Sequence, residues 1–476
     1  MKKLFVLASL CLVFQTAFSE NTIQFQFKIS KPYCILNFLE TANHEHNTSS
    51  ALEQFIVSKT KEDKEFAQLI SDFDRIKLNY SFKREEFPNS RRPSRTTYDF
   101  LAIALVNSST ILEFRNKMLG ILPNSELQKL IEIMQQAEIH YDRIIWKDYE
   151  EKLNGQRIAL EKYADQCSEA FTKINRFYNS FWISDIPFTV ALYPIPGKSG
   201  SSTSNPYSNS LCIGVFTDEI DHIATIGVVL HEMCHVLYDE QPSDFQHKLE
   251  SYFFESKSPY NQFAYNFIDE GLATALGNGW AYNFLSGKPD PADWYNNEYI
   301  NGFGKALYPL VTEYISANKQ IDQEFVNRAI DLFGATFPNS ITDYGILLNR
   351  VSIYTDSQTD EGMGDMMNLA GSYFQLTHIS VSAPILDPNA VENLKTSPQT
   401  QLVIIDQNHE VTAKSIKKIF PELSKVKMVP NKIYSFFDAQ KRPIIILYAA
   451  DKANLESLLK EMQTKKYFDQ TKIMQN

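Results

Sequence analysis

The chain opens its readable pattern with strict alternation. From Thr22 to Ile29 (TIQFQFKI) apolar and polar residues take turns, which predicts a half-exposed strand. From Cys34 to about Ser180 the period becomes helical: Leu127, Leu130, Ile131 and Met134, and later Ala164, Cys167, Phe171, Ile174 and Phe177, recur three and four residues apart. The stretch from Glu86 to Thr97, with two prolines and three arginines, breaks that helical region in two. Phe188–Tyr193 and Leu211–Phe216 are short apolar runs that predict strands, and the small and turn-forming residues of Pro194–Ser210 between them predict a loop. A helix follows, capped by Thr217 or Asp218, with Asp221 in its first turn and Pro242 barring its continuation. Further helices are expected from Asp244 to about Glu255, from Asn261 to about Leu276, and onward to about Phe374. Beyond roughly Pro384, strands are expected at Leu402–Ile405, Ile433–Phe437 and Ile444–Tyr448, with helices at Val411–Phe420 and Asn454–Met462. The expected fold class is α+β and mainly helical, with a helical region over 20–180, a second domain over 181–380 and a small α/β domain over 381–476.

Composition narrows the partners. The chain has 476 residues, 43% of them hydrophobic, which suffices for two or three cores. A formal net charge of −11 argues against nucleic acid, whose phosphates need concentrated Lys and Arg. The basic run from Lys83 to Arg95 is interrupted by Glu85, Glu86 and prolines, and reads as an exposed loop. At the start, Lys2 and Lys3 precede an apolar run from Leu4 to about Phe18, and Ala17-Phe18-Ser19 offers small residues at −3 and −1 of a cleavage site. Residues 1–19 therefore read as a signal peptide; the run is short for a span of ~20 residues and contains Gln15. Without Lys2 and Lys3 the net charge becomes −13. The mature chain is expected outside the cytoplasm, secreted or periplasmic, with no transmembrane anchor. Cys34, Cys167, Cys212 and Cys234 then remain, an even number with three possible pairings.

The chemistry is concentrated at His231-Glu232-Met233-Cys234-His235, inside the capped helix. Residues at i and i+4 share a helix face, so both imidazoles can reach one ion. Zinc suits imidazole nitrogen, and a catalytic zinc takes three protein ligands, leaving one position for water. Glu232 can reach that water and act as general base, returning the proton to the leaving amine. The pattern arises by chance in roughly one such chain in a hundred. Context strengthens it, since a helix apolar at Ile223, Ile226, Val229 and Leu230 carries two histidines and a glutamate, and buried charge is costly unless paired or metal-bound. Gly197-Lys198-Ser199 is no phosphate loop, because Leu192 stands where the leading glycine belongs.

Together with Asp269-Glu270-Gly271-Leu272-Ala273, 35 residues after His235 at Glu270, the motif resembles that of gluzincins, zinc peptidases in which a second helix supplies a Glu ligand. The resemblance covers roughly residues 180–310 and implies a zincin-like catalytic domain, one Zn²⁺ held by His231, His235 and Glu270, and Glu232 as the base. Gly271 and Ala273 are small, as expected where two helices approach closely. Tyr238 and Gln241 stand where a metzincin needs Gly and His, which excludes that branch. The family also implies that the strand before the helix, here Leu211–Phe216, forms the sheet edge on which substrate lies by strand addition. Leu211–Thr217 holds no acid such as aminopeptidases use to grip a free N-terminus, which favours an endopeptidase acting on a protein or peptide. Similar enzymes supply an oxyanion donor from a later helix, where Tyr299 and Tyr308 are the candidates. Asp269 is a candidate to orient a ligand histidine. The rivals are a zinc amidase acting on a non-peptide or cell-wall amide, and a secreted binding protein on an inactive peptidase scaffold.

Overall fold

Two long apolar runs pair in register: Phe188–Ile195 (β4) runs parallel to Ser210–Phe216 (β6), and every residue of both is buried. The numbering follows the other strands in chain order: Phe25–Ile29 (β1), Ser81–Lys83 (β2), Ser94–Thr96 (β3) and Ser204–Tyr207 (β5). The computed structural model describes residues 23–44, 48–83, 94–357, 360–407, 409–471 and 473–475. The expected signal peptide and most of the basic run from Lys83 to Arg95 lie outside the described residues.

The chain divides into two compact units, Met1–Pro242 with Ala281–Lys288, and Ser243–Trp280 with Pro289–Asn476. In the first unit a four-stranded sheet has the order β1-β4-β6-β5, parallel except for β5, and β2 and β3 form a separate two-stranded ribbon. One face of the sheet, carrying Ala191, Tyr193, Ile195, Cys212 and Phe216, joins the core of the surrounding helices, with Leu36, Phe38, Leu105, Leu130 and Met134 fully or almost fully buried there. The sheet order corrects one expectation. Leu211–Phe216 is not the sheet edge: β6 lies between β4 and β5, and the edge on that side is β5, within the segment expected to be loop. Ser-Asn-Pro-Tyr lacks the apolar alternation of a strand, and Pro206 is tolerated because an edge strand has a side with no ladder to serve.

In the second unit a six-stranded sheet has the order β12-β10-β11-β9-β7-β8, formed by Arg350–Thr355 (β7), His378–Ser382 (β8), Thr400–Ile405 (β9), Lys432–Phe437 (β10), Pro443–Tyr448 (β11) and Met474–Gln475 (β12). Its central strands are apolar on both sides because both faces are covered: Leu402 and Ile404 enter one core, Val403 and Ile405 the other. Arg350–Thr355, expected within the helical stretch, is one of its strands. The fold is thus a mixed, mainly helical α+β fold with two small sheets and a ribbon.

Within this unit the helix Asn261–Ala273 runs into a π-helical segment, Thr274–Ala281, and packs against the helix Glu298–Ser316. Glycines set the distance: a Cβ on Gly271 would lie 2.7 Å from Phe303 Cδ1, and one on Gly304 would lie 2.6 Å from Thr274 Cγ2 and 2.9 Å from its Cβ. The small residue at Gly271 thus serves packing against the helix Glu298–Ser316, where Phe303 and Leu307 lie nearest. Gly304→Ala should destabilise the chain by about 1–3 kcal/mol through overpacking, read as a lower urea midpoint with an unchanged slope.

At the carboxyl ends of β7 and β9 two acids meet. The buried Asp356 carboxylate accepts hydrogen bonds from the backbone N–H groups of Asp406 and Gln407, at 3.1 and 3.2 Å. Burial, and then the hydrogen bond and charge of Asp356, push the Asp406 carboxyl up to about 7. Its folded pKa lies above the ordinary carboxylate value, so between pH about 4 and 7 the folded state holds the extra proton. This contribution is present below the unfolded pKa and is lost as pH rises through 7. Asp406→Asn should therefore raise stability at pH 8 and change little at pH 4, as denaturation at the two pH values would show. With the group only half-buried, the gain at pH 8 is discounted for solvent screening to about 1–2 kcal/mol.

Candidate metal centre

The helix that carries the motif spans His222–Asp239. Its N-cap is Asp221, whose side chain accepts from the Ala224 N–H at 3.1 Å; neither Thr217 nor Asp218 takes that role. Thr217 instead accepts from Gly197 N–H, and Asp218 pairs with Lys152 at 2.7 Å. Asp221 has a second partner, the Tyr282 hydroxyl at 3.4 Å.

A residue that sequence patterning passes over holds the entry to this helix. Gln156, 7% exposed, donates to the carbonyls of Thr217 and Glu219, and its Oε1 lies 3.0 Å from His222 Nε2. The available signal was its position: Leu153, Gln156 and Leu160 occupy one apolar face of the helix Lys147–Glu161, and a polar side chain there needs a buried partner.

His231 and His235 present their Nε2 atoms to a common point. The two nitrogens are 3.1 Å apart, and the rings are nearly perpendicular, with an interplanar angle of 77°. Two nitrogens that each sit ~2.0–2.1 Å from a tetrahedral ion are separated by about 3.3 Å, so the pair is already spaced for a shared metal. Glu270, on the helix Asn261–Ala273, completes a set of three ligand atoms within 4.8 Å of one another. Among the described residues this is the one group of three or more His, Cys, Asp or Glu side chains so placed. His231 is buried, whereas His235 and Glu270 are partly exposed, so the cluster is set in protein yet reachable by solvent.

Glu232 is 7% exposed, on the same helix as both histidines. The Tyr193 phenol and the Cys212 thiol on the neighbouring sheet are held above their usual ranges, chiefly by burial, and the negative charge of Glu232 adds to both. Cys234 is fully buried. None of Cys34, Cys167, Cys212 and Cys234 forms a disulfide, and burial pushes the thiols of Cys34 and Cys167 up to about 12.

The two tyrosine candidates differ. Tyr299 is 8% exposed, and its hydroxyl donates to Asp343 Oδ1 at 2.7 Å. Burial, followed by that carboxylate, raises its phenol well above the usual range. Tyr308, two turns further along the same helix, is half-buried with its ring edge-on to Trp294, centroids 5.5 Å apart. Asp269 is partly exposed, and His378 lies in β8 with Nε2 2.9 Å from Arg350.

Among the described residues no helix is long and apolar enough to cross a membrane. No protein-family model matches the chain, and neither does any curated protein or solved structure. What the geometry carries is a His/His/Glu cluster able to hold a metal ion.

Proposed function

We propose that the chain is a zinc-dependent peptide hydrolase of gluzincin type, with His231, His235 and Glu270 as zinc ligands and Glu232 as the general base. The observation that supports this most is the convergence of the two Nε2 atoms and the Glu270 carboxylate in one group. Two imidazoles and one carboxylate leave a tetrahedral ion a fourth position, the donor set of a catalytic rather than a structural site. Bound there, zinc supplies a Lewis acid that polarises the scissile carbonyl and acidifies water.

The remaining steps belong to the protein. Glu232, beside His231 on the helix that carries two of the three ligands, takes a proton from the attacking water and passes it to the departing amine. A donor must steady the developing oxyanion. Tyr308 suits that task better than Tyr299, whose proton is used at Asp343. A peptide that docks by adding a strand finds its edge at β5 rather than at β6. The absence of an acid in Leu211–Thr217 favours internal cleavage over trimming of a free N-terminus, and the leader-like residues 1–19 favour work outside the cytoplasm.

The test is a substrate panel run on zinc-loaded and chelator-stripped protein. Cleavage of unstructured protein substrates, lost on stripping and restored by zinc, is the expected result. Turnover confined to cell-wall amides would replace peptides as the substrate. Stoichiometric zinc with no turnover on any substrate would turn the chain into a binding protein.

A further inference from the structure

The helix that delivers Glu270 carries more than a ligand on that face. Gln262, Asn266 and Glu270 stand at successive four-residue steps within Asn261–Ala273, so their side chains form one stripe. All three are partly exposed, while Ala264, Phe267, Ile268, Gly271 and Leu272 turn away from the stripe and are buried. The two positions before the ligand hold neutral amides, not the oppositely charged pairs that commonly stabilise an exposed helix face.

The two amides are bonded to each other and leave one atom each to spare. Gln262 Nε2 donates to Asn266 Oδ1 at 3.0 Å, which fixes the orientation of both groups. Asn266 Nδ2 and Gln262 Oε1 make no hydrogen bond to any described residue. Their polar neighbours on the helix are occupied. Asn261 Nδ2 donates to the carbonyls of Phe253 and Ser256, at 3.2 and 3.1 Å, and the Tyr265 hydroxyl reaches Glu250 Oε1 at 3.5 Å. The stripe thus presents a donor at Asn266 and an acceptor at Gln262, the complement of a peptide chain's carbonyl and N–H groups. Spacing decides what can use them. Four helical residues at ~1.5 Å each separate successive steps by about 6 Å. In an extended chain, groups that point to one side repeat every second residue, about 6.6 Å apart. Over the two steps from Glu270 to Gln262 the mismatch is about 1 Å, so an extended peptide keeps register with the whole stripe.

We propose that Asn266, held by Gln262, is a specificity-determining residue that binds the main chain of an extended peptide two residues from the bond at the metal, with Gln262 binding it four residues away. Asn266 Nδ2 donates to a substrate carbonyl, and Gln262 Oε1 accepts from a substrate N–H. The selection is for length and extended form, not for any one side chain. This inference rests on the hydrolase reading and adds to it a preference for several residues on one side of the cleaved bond.

Titration calorimetry tests it on the full chain carrying Glu232→Gln, with and without zinc, so that peptide is held and not cut. The probes are acetyl- and amide-capped Ala-Ser peptides of two and eight residues. The longer peptide should bind at least about fivefold more tightly, the size of one neutral hydrogen bond. Asn266→Ala, and the isosteric Asn266→Asp that lacks the Nδ2 donor, should each weaken the longer peptide by about fivefold and shrink the advantage of length by that factor. Asn266 is partly exposed on the helix, and far-UV circular dichroism on each variant verifies that the chain has folded. No advantage of length, or a full advantage kept in both variants, would overturn the inference. So would an equal loss for both peptides, which marks damage at Glu270 and not contact with substrate. Cleavage by the parent chain is scored separately: a longer peptide that binds with its length advantage yet stays intact ends the hydrolase reading alone.

Discussion

Glu232→Gln should lower kcat/KM for peptide hydrolysis by about 10³-fold while leaving the zinc content at one per chain. The substitution keeps the size and most of the hydrogen-bonding shape of the side chain, and Glu232 is buried at 7% exposure, so packing of the helix His222–Asp239 is preserved. What disappears is the ability to take a proton. A loss of 10³-fold corresponds to about 4 kcal/mol of transition-state stabilisation, the middle of the range for a positioned general base. Both kcat and kcat/KM should fall together, because the interaction exists only while the proton is in flight. Full activity with zinc retained would remove Glu232 from the chemistry and the peptidase reading with it. Loss of zinc alongside activity would instead make the residue a support of the cluster, a different role for the same carboxylate.

How much of this was legible beforehand depends on how local each signal is. The spacing of His231 and His235 is four residues on one helix, so their convergence follows from helix geometry alone, and the Nε2 separation of 3.1 Å shows it. Glu270 is 35 residues downstream and was reached through the resemblance rather than through periodicity. The central strands of both sheets were plain because burial on two faces writes a continuous apolar run, as at Leu211–Phe216 and Ile444–Tyr448. Strand β5 was invisible because Ser-Asn-Pro-Tyr owes its extended form to pairing with β6, not to its own residues. That single omission misplaced the sheet edge. The π-helical turn at Thr274–Ala281 has no compositional mark, and Asp356 and Asp406 meet from 50 residues apart only because β7 and β9 are neighbours. The cap of the helix His222–Asp239 was missed by three residues, since Thr217, Asp218 and Asp221 are all good capping residues and only the backbone path chooses among them.

Glu270→Ala and His235→Ala should each cut zinc affinity by nearly 10³-fold, whereas His222→Ala should leave it unchanged. The apparent free energy of a protein zinc site at neutral pH runs from about 10 kcal/mol upward, and one ligand of three carries on the order of a third of it, about 4 kcal/mol. Residual binding through the other two side chains is expected, so the readout is a competition titration against a chelator, with metal content by mass spectrometry beside it. His222 is the fitting control: it lies on the same helix, but its Nε2 faces Gln156, two turns from the cluster. A stability measurement adds an independent check. Zinc at a hundred times its dissociation constant should raise the unfolding free energy of the parent chain by about 2.7 kcal/mol. At that same zinc concentration Glu270→Ala should gain almost nothing, because its dissociation constant has moved past it. If zinc binds the Glu270→Ala chain as tightly as the parent, the third ligand lies elsewhere and the gluzincin assignment fails. Affinity lost equally in His222→Ala would mean that the helix entry held by Gln156, and not the donor set, governs the metal. The comparison of these three variants therefore separates coordination from mere integrity of the helix.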